Sequence, residues 1–192
     1  MRAITLDIET KNEFAEVGSN KPEDLDLSVV CVHDSETGLL RGFFEEELPE
    51  LWPILERANM FIGFNTDHFD IPILNKYYSG NLEEIKSLDI LKEVKNVLGR
   101  RLKLDTIAEA TLGKKKTGHG LDAIRWWRKG EREKVKAYCL EDVKITRELY
   151  DYARTHKHLK YHDGANLKEI PLKTADWESL PEKKVLTHTL PF

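Results

Sequence analysis

Residues 2–10 read RAITLDIET. Apolar Ile4, Leu6 and Ile8 alternate with polar Thr5, Asp7 and Glu9, the period of two that marks a β-strand. Successive strand side chains leave opposite faces, so the carboxylates of Asp7 and Glu9 leave the same one. Two like charges about 4 Å apart repel by about 4 kcal/mol at an effective dielectric near 20. Either this polar face meets water, or something positive sits between the two acids.

Outward from this strand the pattern is α/β. Residues 11–26 are polar, carry Gly18 and Pro22, and are expected to form a loop. Ser28–His33 and Leu39–Phe44 read as strands joined by DSETG (34–38), a hairpin. Glu45–Ala58 places Leu48, Leu51, Trp52 and Leu55 at helical spacing behind an acidic first turn that suits the helix dipole. Pro53 opposes that helix by removing a hydrogen bond. Met60–Phe64 is a short apolar strand, and Pro72 is expected to open a helix. Leu88–Leu91 fits a short strand or a helix start. Leu102–Leu112, Leu121–Lys129 and Glu131–Arg154 read as helices, with Gly113 ending the first. The predicted fold is a mixed sheet flanked by helices, with a hairpin at one side. After His158, Asp163-Gly164 and Lys168–Leu172 suggest a second, small hairpin, with Pro171 confining its last strand to an edge.

Composition narrows the function classes. A chain of 192 residues suits one domain with a small appendage. It contains no run of 18 apolar residues, so no membrane span is expected. The start, Met-Arg and then a strand, has no signal-peptide core. Cys31 and Cys139 make no disulfide framework, so a reducing, cytoplasmic location is expected. Thirty basic side chains stand against 34 acidic ones, a formal net charge of −4. Contact with nucleic acid therefore has to come from a local patch.

Two more carboxylates join the first pair. In GFNTDHFDIPIL (63–74), Asp70 follows an apolar strand and stands two residues before Pro72, the place of an N-cap. Asp67 and His68 read as solvated loop residues. On the longest helix the apolar stripe runs Val135, Tyr138, Cys139, Val143, Thr146, Leu149 and Tyr150, and Asp142 lies within it. A carboxylate on a core-facing stripe is costly without a partner. It either pairs with a buried base or points at a metal held by other carboxylates. A cluster of oxygen ligands suits Mg²⁺ or Mn²⁺. Two such ions about 3.5–4 Å apart can clamp the attacking and leaving oxygens of a phosphodiester. Asp7, Glu9, Asp70 and Asp142 would supply the charge, and Tyr138 would orient the water, since a phenol of pKa near 10 is a poor base at neutral pH.

DIET at 7–10, GFNTDHFDIPIL at 63–74 and YCLED at 138–142 stand in order. Together they resemble the three motifs of the DEDD 3′–5′ exonucleases of the ribonuclease-H-like superfamily. The second motif is similar to that of the exonuclease domain of family-B DNA polymerases, and the whole chain to the stand-alone YprB-like branch. A tyrosine four residues before the last aspartate, with Ala137 where the other branch has histidine, resembles the DEDDy type. The resemblance implies a ribonuclease-H-like fold over about residues 1–155, with 156–192 as an extension. It also implies two metals on Asp7, Glu9, Asp70 and Asp142, and Tyr138 positioning the nucleophile. Thr10, Asn65 and Phe69 match positions that touch the 3′ end of single-stranded DNA or RNA. Direction, 3′ to 5′, and nucleoside monophosphate products come from the resemblance alone. No polymerase domain accompanies the motifs, so proofreading in cis is not expected. The rival reading is a non-catalytic nucleic-acid-binding module of the same fold.

The loop GKKKTGHG (113–120) falls short of a phosphate-binding P-loop, because His119 and Gly120 stand where Lys and Ser or Thr are required. Lys114, Lys115 and Lys116 remain candidates for phosphate contact, or form a solvated loop. Arg125, Arg128, Lys129 and Arg132 extend the positive stretch beside Trp126 and Trp127, which read as base-stacking platforms or as core. Residues 159–192 are expected to be a docking surface for a protein partner or a structural wrap.

Overall fold

The computed structural model describes residues 1–114 and 120–179. A five-stranded sheet is built from β1 (Ala3–Thr10), β2 (Leu27–Asp34), β3 (Leu40–Phe44), β4 (Met60–Gly63) and β5 (Lys86–Asp89), in the order β3-β2-β1-β4-β5. The β1–β2 and β2–β3 pairs are antiparallel, whereas β1–β4 and β4–β5 are parallel. The expected mixed α/β sheet is therefore present, with β1 at its centre.

Helices cover both faces. They are α1 (Phe14–Val17), α2 (Leu48–Leu55), α3 (Asp70–Asn75), α4 (Ile90–Leu98), α5 (Leu104–Leu112), α6 (Gly120–Arg128) and α7 (Arg132–His156). Ile4, Leu6 and Ile8 of β1 join Val30, Val32 and Phe43 in a core closed by Leu48, Leu51 and Leu55 of α2 and Ile73 of α3. On the other face Val29 and Cys31 meet Val135, Tyr138, Cys139 and Val143 of α7. Alternation along β1 thus sorts side chains between two helical layers, not between core and water. The face bearing Asp7 and Glu9 is covered by α7, which excludes the reading of a polar face turned to solvent.

Several boundaries differ from the sequence expectation. The 11–26 segment holds α1 and a 3₁₀ turn at Pro22–Asp24. The 45–58 segment splits into a 3₁₀ turn, Glu45–Glu47, and α2, which persists through Pro53 because three leucines anchor one face. Residues 86–98 resolve the ambiguity around Leu88–Leu91: β5 ends at Asp89 and α4 starts at Ile90. Pro72 does not open α3; it is the third residue of a helix that begins at Asp70.

The last elements are β6 (His158–Asp163) and β7 (Asn166–Pro171), an antiparallel hairpin. Gly164 takes φ +62° at the first of its two loop positions, where the missing Cβ removes the steric cost. Leu159, Tyr161, Ile170, Leu172 and Trp177 pack into the cluster that holds Met60, Ile62, Val94, Ile145 and Leu149. Trp177 stacks on Tyr150, with ring centroids 5.8 Å apart.

Candidate active site

β1 and α7 bring three acids together. Asp7 and Glu9 leave the α7-facing side of β1, and Asp142 leaves α7 toward them. Their carboxylate oxygens lie within 4.8 Å of one another. α7 is held against β1 at this point, where the Cys139 thiol donates to the Asp7 carbonyl at 3.3 Å. Glu9 and Asp142 are 9% and 4% exposed, so both are largely removed from water. Tyr138, one turn before Asp142, is buried edge-on against Trp126 with centroids 5.7 Å apart. The donors are all oxygen, the chemistry a hard divalent cation requires, and their spread is close to the about 4.2 Å across an Mg²⁺ octahedron. Three anions this close repel one another, and a cation among them reverses the sign of that term.

Asp70 stands beside this trio without entering the 4.8 Å set. It is the first residue of α3, and Phe69 holds the cap position, so the expected N-cap role is not what the fold uses. Strands β1 and β4 pair only as far as Thr5 and Ile62, then part. The Asp70 carboxyl lies beyond that point, near the amide of Ile8, the residue between Asp7 and Glu9. Burial and the neighbouring Asp89 push its pKa up to about 8, while the amides of Asp70 itself and Ile8 pull it back.

Asp89 is a participant that the sequence reading missed. At 5% exposure, its carboxylate accepts from the amides of Asn65 (2.8 Å), Asp67 (3.3 Å), Leu91 (2.9 Å) and Lys92 (3.3 Å). It caps α4 and ties down the β4–α3 loop with the same two oxygens. Burial raises its pKa, and the Asn65, Lys92 and Asp67 amides oppose that rise. A polar residue closing a strand and opening a helix, SLDIL (87–91), was the available signal. Asn65 on that loop holds φ +74°, a left-handed conformation that asparagine tolerates better than most residues. Arg101, also missed, donates to Asn65 Oδ1 at 2.6 Å from the α4–α5 connection, and no local motif marks it.

A cleft of about 900 Å³ reaches the trio at Glu9, and Thr10, Asn65, Phe69 and Tyr138 also line it. Phe14, Leu104, Leu121 and Ile124 add apolar wall, Arg101 and Lys103 add positive charge, Glu13 and Asp105 add negative charge, and Arg125 is paired with Asp122. Phe14 and Phe69 meet edge to face with centroids 6.3 Å apart. Lys114 is elsewhere, paired with Glu148 at 2.7 Å. Lys115 and Lys116 lie outside the described residues. Trp126 and Trp127 are half-buried against the α7 core, with Lys134 over the first and Arg132 over the second.

The family model RNase_H_2, described as RNase_H superfamily, matches residues 4–154. The chain belongs to the RNase H superfamily. The match runs from β1 to the last turns of α7 and so contains all five expected catalytic residues. Among solved structures, this RNase H-superfamily chain is similar to a family B DNA polymerase from the hyperthermophilic archaeon Pyrobaculum calidifontis. The TM-score is 0.61, at 18% identity over 80% of this chain. At that identity the likeness is one of fold, and this chain spans 24% of the polymerase's length. No curated protein matches the chain. The expected ribonuclease-H-like α/β fold is present. Among the described residues, no helix is long and apolar enough to cross a membrane.

Proposed function

We propose that this protein is a metal-dependent 3′–5′ exonuclease of the DEDDy type, in the YprB-like branch, acting on single-stranded DNA or RNA. One observation carries the reading. Asp7, Glu9 and Asp142 converge to within 4.8 Å beside a cleft that Thr10, Asn65, Phe69 and Tyr138 line. The superfamily match and the polymerase-like fold support the same substrate class.

Asp7, Glu9 and Asp142 would hold two Mg²⁺ or Mn²⁺ ions, with Asp70 contributing from the edge of β1. Bound there, such ions place positive charge on the scissile phosphate and make a water more acidic. The chain's own groups supply position. Phe14 and Phe69 offer faces for the terminal bases. Thr10 and Asn65 fix the 3′ end by hydrogen bonding, and the Tyr138 hydroxyl orients the attacking water. Water adds to phosphorus as the bond from phosphorus to the penultimate O3′ breaks. The products are a nucleoside 5′-monophosphate and a strand with a new 3′-hydroxyl.

The test uses end-labelled single-stranded DNA and RNA with Mn²⁺ or EDTA, beside Asp7→Ala and Asp142→Ala. Metal-dependent laddering from the 3′ end, absent in both variants and absent on a circular strand, is the expected result. Binding without cleavage under every condition would replace the enzyme with the binding-module reading.

A further inference from the structure

A second chamber of about 410 Å³ adjoins the main cleft. Asn65, Leu91 and Arg101 line both, so the Arg101–Asn65 hydrogen bond stands on the threshold between them. Lys95 lines the second chamber and Lys103 the first. Arg101, Lys95 and Lys103 are exposed, and among the described residues none has a carboxylate within 4 Å. Most other cations around the site are neutralised: Lys92 by Asp67, Arg125 by Asp122, Arg128 by Glu16 and Lys11 by Glu45. In a chain of net charge −4, Lys103, Arg101 and Lys95 thus carry basic charge from the first chamber through the shared wall into the second. The main cleft also carries apolar wall, from Phe14, Phe64, Phe69, Leu104, Leu121 and Ile124, beside Glu13 and Asp105. Basic groups together with exposed apolar and aromatic wall match an unpaired polynucleotide, whose phosphates and base faces point in different directions. A duplex hides its base faces and offers only phosphate.

We infer that Lys95, Arg101 and Lys103 form a phosphate track. It leads a single strand from the carboxylate centre over Arg101 into the second chamber. The protein then grips several nucleotides of an unpaired strand, not the terminal one alone. Arg101 plays two parts: free, its guanidinium holds Asn65; with the strand in place, it turns to a phosphate. This inference rests on the exonuclease reading for the polarity of the strand, but its test does not depend on cleavage.

The test is fluorescence anisotropy in EDTA, with a labelled ten-nucleotide single strand titrated at several salt concentrations. For single strands, log K falls with log salt at a slope of about −0.7 for each phosphate that the protein neutralises. Lys95→Ala, Arg101→Ala and Lys103→Ala should each make the slope shallower by about that amount and weaken binding several-fold. Arg101→Lys should keep the slope, which a purely structural role for Arg101 would not predict. Arg57→Ala, an exposed residue that lines neither chamber, should change nothing. A blunt duplex of the same sequence should bind at least about tenfold more weakly. Unchanged slopes in all three alanine variants, duplex bound as tightly as single strand, or no binding by the parent protein would each overturn the track. Cleavage with Mn²⁺ is scored separately. Shallower slopes in the variants, with no cleavage by the parent, would sink the exonuclease reading and leave the track standing. The reverse pattern would do the opposite.

Discussion

Gly63→Ala tests whether close packing seats the loop that carries Asn65, Phe69 and Asp70. A Cβ on Gly63 would lie 1.5 Å from Thr66 Oγ1, 2.6 Å from Thr66 Cβ and 3.1 Å from Thr66 Cγ2. A change of Thr66 rotamer moves Oγ1 and Cγ2 but leaves Cβ in place. Ordinary contact begins near 3.4 Å, so the Thr66 backbone has to retreat by about 0.8 Å. That movement pulls on two hydrogen bonds: Ile71 N–H to the Thr66 carbonyl (3.1 Å) and Asp67 N–H to Asp89 (3.3 Å). Overpacking of this kind costs about 1–3 kcal/mol, and each weakened hydrogen bond adds about 1 kcal/mol. The expected loss is about 3–5 kcal/mol, or a Tm lower by roughly 10–15 °C for a chain of this size. Urea unfolding and a thermal melt measure it. Adding Thr66→Ala should recover only part, because Cβ stays. Below the new Tm, hydrolysis should fall about 100-fold, since a shift of about 1 Å at a positioning loop has that effect. A Gly63→Ala protein within about 0.5 kcal/mol of the parent would refute the seating argument.

Other consequences can be measured with the same protein. Mg²⁺ or Mn²⁺ at about 100 times Kd should stabilise the fold by about 2.7 kcal/mol and raise Tm by about 5–10 °C. Asp142→Asn should remove that response, and a retained shift would take Asp142 out of the donor set. In EDTA, Asp70 holds its proton in the folded state up to about pH 8, but only to about pH 4 when unfolded. The folded state therefore binds more protons between those values, and stability declines as pH rises from about 4 to 8. Asp70→Asn should flatten that decline, and an unchanged slope would assign it to another group. At Asn65, with φ +74°, alanine should cost about 1–2 kcal/mol of stability in a urea melt, whereas glycine should cost less than about 1 kcal/mol. Both should weaken binding of the 3′ end, and equal stability of the two variants would show that the left-handed backbone carries no strain.

The parts of this molecule that the sequence reveals lie on regular elements. A period of two puts Asp7 and Glu9 on one face before any neighbour is known. The apolar stripe of α7 directs Asp142 and Tyr138 inward in the same way, and all four meet beside the cleft. The mixed sheet with its hairpin is legible from the same periodicities, whereas the order β3-β2-β1-β4-β5 is not, because strand pairing beyond a hairpin is a tertiary matter. Asp70 is legible in residue type but not in place. Whether an aspartate two residues before proline caps a helix or begins one depends on where β1 and β4 part, and a tertiary contact decides that. Asp89 and Arg101 are harder still. They reach Asn65 across 24 and 36 residues, through one amide and one side-chain oxygen. No local pattern encodes such a pairing. Both missed residues hold the same loop, and that loop is irregular. Its backbone amides cannot be satisfied by a helix or a ladder, so they draw on side chains from remote segments. The residues that would perform the chemistry announce themselves by period. Asp89 and Arg101, which hold the loop that carries Asn65, do so only once the chain has closed on itself.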